Sequence, residues 1–175
     1  HFNQIYFLKA GGGKGFDYPQ DCLDGKDYQL LISKLKSRKI QLGLHTSYSA
    51  GKNGEQIKTE KQRLEKALNQ AVTGNRHHWL RSTTTGNMQQ LADAGITDDY
   101  SMGFADHTGF RLQTARPVRW INPETLRLTN LTIHPLEIMD CTLDKYMQLD
   151  ETEAYYLCQQ IIDKTKLYGG ELNLL

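Results

Sequence analysis

The amino-acid sequence predicts an α/β domain built on parallel strands. Three observations carry that prediction: short aromatic and β-branched runs alternate with longer amphipathic ones, glycines punctuate the joints, and the short runs repeatedly end on a polar or ionisable side chain. At 175 residues the chain has the length of one domain with one substantial core, and residues 1–175 are read as a single unit. Acidic and basic side chains nearly cancel, leaving a formal charge of +1, and the Lys and Arg residues are scattered rather than gathered into a stripe. The electrostatic footprint of a nucleic-acid binder is therefore missing. No apolar run approaches the roughly 20 residues of a membrane-spanning helix, and the amino terminus lacks the basic-then-apolar pattern of a signal peptide. Cys22, Cys141 and Cys158 are odd in number, far apart and in no metal-ligand spacing. They read as reduced, partly buried thiols rather than a disulfide scaffold or a structural zinc site.

In chain order, Phe2 to Leu8 reads as a strand, broken by Gly11, Gly12 and Gly13. Lys14 follows these glycines, but the phosphate-binding spacing Gly-x-x-x-x-Gly-Lys-(Ser/Thr) is absent, so the stretch is a loop. Asp27 can cap a helix in which Tyr28, Leu31, Ile32 and Leu35 recur at i, i+3, i+4 and i+7, with Lys34, Lys36, Arg38 and Lys39 toward its carboxyl end. That helix leads into a strand from Ile40 to Leu44, which stops at His45. A longer helix over about Glu55 to Val72 sets Ile57, Leu64, Leu68 and Ala71 on one face and mixed charges on a solvated one, ending near Gly74.

His77 to Leu80 reads as a short aromatic strand running into Arg81, and Gly86 to Ala94 as a brief helix stopped by Gly95. Tyr100 to Phe104 is a further strand reaching Asp106. After a long irregular segment, Leu126 to Ile133 alternates as a strand does and reaches His134 and Pro135. Asp150 and Glu153 form a capping-box pattern ahead of a helix carrying Ala154, Leu157, Cys158, Ile161 and Ile162. Gly169 and Gly170 end it before a last strand-like run, Leu172 to Leu175. The pattern begins and ends inside a strand, so the chain is expected to be a segment of a longer protein, incomplete at both ends.

In a parallel α/β sheet the carboxyl ends of the strands share one rim, and sites are built there from the loops that follow. His45, Arg81, Asp106 and His134 fall on that rim. Polar residues also follow strands simply because loops are exposed, so position alone makes these four candidates and no more.

Four blocks are more specific. Gly43 to Tyr48 (GLHTSY), His78 to Arg81 (HWLR), Tyr100 to Asp106 (YSMGFAD) and Gly109 to Arg111 (GFR) follow one another with a long helix after the first. This order resembles the polysaccharide deacetylases with the NodB-homology domain, and more narrowly a divergent bacterial branch of them. The resemblance runs from about Ile5 to the end. It implies a distorted (β/α) barrel of about seven strands and a metal-dependent hydrolase that removes acetyl groups from a carbohydrate. In such enzymes a divalent metal, often zinc, is held by an aspartate and the two histidines of a His-(Ser/Thr)-x-x-His motif. His45 and Thr46 match the first half of it, whereas Ser49 stands where the second histidine belongs. The paired aspartates of the family's first motif would precede residue 1, and its last motif, Leu-x-His, would fall at or just past Leu174 and Leu175. Arg81 matches the arginine that orients the catalytic aspartate, with Ser82 and Thr83 replacing the prolines usual beside it.

The chemistry gives those departures weight. Amide hydrolysis at neutral pH needs a metal to polarise the acetyl carbonyl and lower the pKa of its bound water to about 7, a carboxylate to take a proton and a histidine to give one. Zinc sites generally use three protein ligands, and the Ser49 hydroxyl is a poor one. His78, His134 and Asp106 are the candidates for the vacancy. Of His77 and His78 only one can face inward from a strand, and His78 is the family-like position. The assignment is therefore His45 and His78 as metal ligands, Arg81 and Asp106 as catalytic residues, and Tyr48, Ser49 and His134 as contacts to a carbohydrate. Tyr48 and Trp79 can stack on sugar rings, although packing is the commoner use of a tryptophan. The alternative is a non-catalytic carbohydrate-binding or assembly domain that kept the fold after losing the metal site. Ser49 is the residue that favours it.

Overall fold

The computed structural model describes residues 3–18, 23–82 and 85–175. Phe2, Cys22 and Thr83 lie outside the described residues. Six strands form one sheet: β1 (Ile5–Leu8), β2 (Gln41–Thr46), β3 (Gly74–His77), β4 (Asp98–Met102), β5 (Val118–Ile121) and β6 (Leu128–Pro135), in the order β1-β2-β3-β4-β6-β5. All neighbouring pairs are parallel except β5 with β6. Four α-helices, α1 (Lys26–Ser37), α2 (Gly54–Leu68), α3 (Thr85–Asp93) and α4 (Glu151–Tyr168), complete the α/β alternation. Among the described residues the six-stranded sheet does not close on itself, consistent with part of a barrel of about seven strands. No helix among the described residues is long and apolar enough to cross a membrane.

The apolar core lies between one face of the sheet and the first three helices. Leu8, Leu42 and Leu44 pack with Ile32 and Leu35 of α1 and Leu64 and Leu68 of α2. Leu131 and Ile133 pack with Ile57 of α2 and Met88 and Leu91 of α3. Side chains alternate along a strand, so the opposite face carries His45, Arg76, Tyr100 and His134 in one row across four strands. His45 pairs in register with Arg76, the Arg76 Nε donates to the Tyr100 carbonyl at 3.1 Å, and the Tyr100 and His134 rings stack at 4.3 Å. Phe7 closes this row, 5.6 Å from the Tyr100 ring and 4.8 Å from the Arg76 guanidinium. Gly43 makes room for it, since a Cβ there would meet the Phe7 ring at 2.7 Å.

Several boundaries differ from the sequence reading, each for a local reason. Gly25 rather than Asp27 precedes α1, and Leu31 is an exposed residue of that helix. Asn53 caps α2 by accepting from the Glu55 and Gln56 amides, and Asn69 in the left-handed region (φ 48°) ends it well before Val72. The stretch His78–Leu80 is a single 3-10 turn, and β3 is the more polar Gly74–His77 before it. The long irregular segment holds β5, which pairs back onto β6. Leu126 sits in the turn between them with φ 56°, so β6 starts two residues later than the alternation indicated. The capping box of α4 forms as read, with Asp150 and Glu153 each bonding the other's backbone. Among residues 172–175, pairing is limited to one parallel bridge from Leu174 to Ile138.

That terminal segment is tied down by Glu137. Its carboxylate accepts from the Asn173 amide at 2.9 Å, while its other oxygen is buried without a partner. Burial raises this carboxyl to about 7, against the pull of the Asn173 bond. A raised carboxyl binds a proton more tightly folded than unfolded, so its contribution to stability is present at low pH and is lost as pH rises through about 7. Glu137→Gln removes the charge that becomes costly. Thermal unfolding followed by circular dichroism is expected to show the variant more stable at pH 8, on the order of 2 kcal/mol, with the advantage gone below about pH 4, where the carboxyl is protonated in both states.

Candidate functional site

The rim is organised by two buried carboxylates that seize the chain as it leaves β2. Asp17, at the end of a 3-10 turn (Gly15–Asp17), accepts from the Tyr48 amide at 2.5 Å and the Ser49 amide at 3.0 Å. Glu60 accepts from the Ser47 amide at 2.9 Å, from the Ser47 hydroxyl and from the Gln56 side chain at 3.0 Å. Both are 2% exposed. Each bond to an ionised acceptor is worth about 1.5–3 kcal/mol net. Gly11 lets Glu60 approach, because a Cβ there would stand 2.2 Å from the carboxylate. The hydroxyl string after His45 is thereby accounted for. Thr46 bonds Asn75 inside the sheet, Ser47 bonds Glu60, and Ser49 lies 3.2 Å from the Ser47 hydroxyl and accepts from Gln56 at 2.8 Å.

His45, at the carboxyl end of β2, is fixed at both ring nitrogens. Its Nδ1 donates to the Arg76 carbonyl at 2.8 Å, and its Nε2 lies 2.9 Å from the Nδ1 of His78. The other nitrogen of His78 faces the Phe16 carbonyl at 2.9 Å. Carbonyls only accept, so the three contacts are all satisfied when the pair of rings holds one proton more than two neutral imidazoles. Burial, helped by the neighbouring His78, pulls His45 down to about 4, which leaves it neutral at pH 7.

Trp79 and Leu80 follow in the left-handed region, with φ 59° and 49°. Two consecutive non-glycine residues there carry strain, the kind a fold retains where a side chain must be presented. Trp79 is 57% exposed as a result. Phe16 lies edge-on to it at 5.4 Å and against Tyr48 at 4.7 Å, and the Arg81 guanidinium lies 3.7 Å above the Tyr48 ring.

Two adjoining clefts share Trp79, Leu80 and Ala105. The smaller, about 360 Å³, is lined by His45, His78, Met139, Cys141 and Leu175 among others. The larger, about 730 Å³, is lined by Tyr48, Lys52, Arg81, Phe104, Asp106 and Arg111 besides. Five of the seven sequence-predicted residues, His45, His78, Tyr48, Arg81 and Asp106, thus meet along one groove. Ser49 lines neither cleft, its hydroxyl being held by Ser47 and Gln56. His134 is apart from the groove, clasped between Glu171 at 2.8 Å and Asp98 at 3.0 Å. Asp106 is exposed and paired with His107 at 2.7 Å, a hydrogen bond that holds its carboxyl below the usual range. No carboxylate among the described residues lies within ion-pair distance of Arg81.

Among the described residues no group of three His, Cys, Asp or Glu side chains is arranged to hold a metal. His45 and His78 supply two imidazoles whose facing nitrogens bond each other. The donor set present is therefore two-thirds of an ordinary zinc site. The strand beside His45 is β1, and the loop at its carboxyl end runs through Lys9, Gly11, Gly12 and Gly13 to Asp17, whose carboxylate is taken up by the Tyr48 and Ser49 amides. Cys141 and Cys158 are free thiols.

Sequence reasoning missed Asp17, Glu60, Phe16 and Lys52. For Glu60 a signal existed: it lies three residues after Ile57 and four before Leu64, on the apolar stripe of α2 rather than its solvated face.

No protein-family model matches the chain, and no curated protein does. Solved structures do. The chain resembles a Mycobacterium smegmatis protein assigned to the polysaccharide deacetylases, with a TM-score of 0.58 and 14% identity over 85% of this chain and 53% of that one. It also resembles a Bordetella bronchiseptica protein assigned as a polysaccharide deacetylase involved in O-antigen biosynthesis, with a TM-score of 0.52 and 16% identity over 98% of this chain and 59% of that one. The fold is that of the polysaccharide deacetylases, and the chain spans little more than half the length of either structure.

Glu60→Ala leaves the Ser47 amide buried without an acceptor and takes from the Ser47 hydroxyl its carboxylate acceptor. Urea unfolding is expected to show a loss of about 2–4 kcal/mol, whereas an unchanged midpoint would mean that the carboxylate does not hold the rim.

Proposed function

We propose that the chain is part of a polysaccharide deacetylase-like hydrolase that removes acetyl groups from a carbohydrate. The observation that carries this reading is the coincidence of fold and rim: a deacetylase-type sheet with His45, His78, Arg81 and Asp106 around one groove at its strand ends. The exposed ring of Trp79 suits the apolar face of a sugar, and Tyr48 lines the same groove beneath Arg81. Arg81, free of any ion pair with the described residues, is available to an acetyl oxyanion or a carboxylate. Asp106 is an ionised carboxylate at the mouth of the groove, suited to accept a proton or to bind sugar hydroxyls. His45 offers a neutral imidazole.

The cofactor that belongs to this reading is a divalent metal, zinc by its ligand type, for which His45 and His78 are the described ligands. When bound, such an ion polarises a carbonyl and acidifies water. A second reading rests on a specific observation. With two imidazoles bonded to each other and no third ligand among the described residues, the same groove fits a non-catalytic carbohydrate-binding or assembly domain.

The test is zinc content after loading and dialysis, measured together with acetate release from acetylated chitooligosaccharides, for the protein and its His45→Ala variant. About one zinc per chain, lost in the variant along with acetate release, is the expected result. Undiminished acetate release by His45→Ala contradicts the role given to His45. No zinc and no hydrolysis, with glycan affinity retained, selects the second reading.

A further inference from the structure

The sugar-binding groove is unusually cationic for this chain. Formal charges over all 175 residues sum to +1, yet the charged side chains lining the larger cleft are Lys52, Arg81 and Arg111 against Asp106 alone. That single acid is already engaged by His107 at 2.7 Å. None of the three cations forms an ion pair with a described residue. Arg81 spends its guanidinium on the face of Tyr48, 3.7 Å away. Arg111 gives one Nη1 hydrogen bond to the Gly103 carbonyl at 2.8 Å and keeps the rest of its fork. Lys52 is exposed at the end of the 3-10 turn (Ser49–Lys52) that Asp17 anchors.

Cations held around a concave surface without carboxylate partners repel one another, and an anion relieves that repulsion. The planar arginine fork matches the oxygens of a carboxylate or phosphate in pairs. The same cleft is lined by Trp79, Tyr48 and Phe104, of which Trp79 presents an exposed ring of the kind that packs on sugars. We infer that the groove binds an acidic saccharide, its ring against Trp79 and its oxyanion between Lys52, Arg81 and Arg111. This rests on the carbohydrate reading above and narrows it to an anionic substrate class. A neutral glycan would need the aromatic surface and leave the three cations unused.

The test is isothermal titration calorimetry of the protein with tetragalacturonate, a phosphorylated maltotetraose and neutral chitotetraose, at low salt and at about 1 M salt, where the Debye length is about 3 Å. One or both acidic sugars are expected to bind at least about tenfold tighter than the neutral one at low salt, and most of that advantage is lost at high salt. Preference between the two acids identifies carboxylate or phosphate as the recognised group. Lys52→Ala and Lys52→Glu, at an exposed position, are expected to weaken the acidic sugar progressively and leave chitotetraose unchanged. Arg111→Ala should do the same, with its thermal unfolding measured because it also removes the bond to Gly103. Equal or tighter binding of chitotetraose, or indifference to Lys52→Glu, overturns the inference. Deacetylation of neutral sugars without acidic preference overturns it while leaving the hydrolase reading intact. Acidic-sugar binding without hydrolysis does the reverse.

Discussion

Asp17 and Glu60 grip the backbone where it leaves β2, and the geometry of the rim follows from that grip. The two carboxylates take the amides of Ser47, Tyr48 and Ser49 out of competition with water. Buried amides without acceptors are costly, so the turn has few other ways to sit. Once it is fixed, Tyr48 must stand under Arg81 and Lys52 must stand at the mouth of the groove. His45, one strand residue earlier, is set by sheet register against Arg76. Position along the rim is thus settled by hydrogen bonds reaching from a loop before α1 and from the buried side of α2.

The second organising feature is the turn after β3. Its residues adopt left-handed backbone at Trp79 and Leu80 at an energetic cost, and the return on that cost is a tryptophan facing outward between two clefts. His78, at the start of the same turn, closes on His45. The rim therefore brings together an imidazole pair, aromatic faces and unpaired cations from three successive strand ends. A fold does not fix a reaction. What this site contributes is a groove lined by aromatic rings and three cations, beside the paired imidazoles of His45 and His78.

How far the sequence disclosed this depended on the range of the interactions involved. The capping box of α4 and the apolar periodicities of α1 and α2 are local, and they were legible. So was His45 at a strand end, because alternation of Leu42 and Leu44 stops there. β3 was misplaced because Asn75 and Arg76 look like loop residues. They are buried in a strand only because Asp99, Thr46 and the Tyr100 carbonyl satisfy them from neighbouring strands. β5 is four residues long with little burial, so its pattern carried no signal, and only pairing with β6 makes it a strand. The partner of Asp17 is 31 residues away, and nothing near it in the chain announces that contact. The pairing of His45 with His78 is likewise beyond the reach of the sequence: each residue carries its own signal, but their contact depends on a turn that the aromatic run disguises as a strand.

Both the hydrolase proposal and the acidic-sugar proposal require a carbohydrate to bind in the groove beside Trp79. The chain has two tryptophans, and they report independently: Trp79 is exposed in the groove, whereas Trp120 packs against the core with its indole nitrogen buried. Titrating nitrogen-15-labelled protein with an oligosaccharide and following the two indole N–H resonances separates them directly. A saturable shift of the Trp79 signal with Trp120 unmoved is the predicted result. No shift at Trp79 with any neutral or acidic oligosaccharide, or a shift at Trp120 alone, would contradict it.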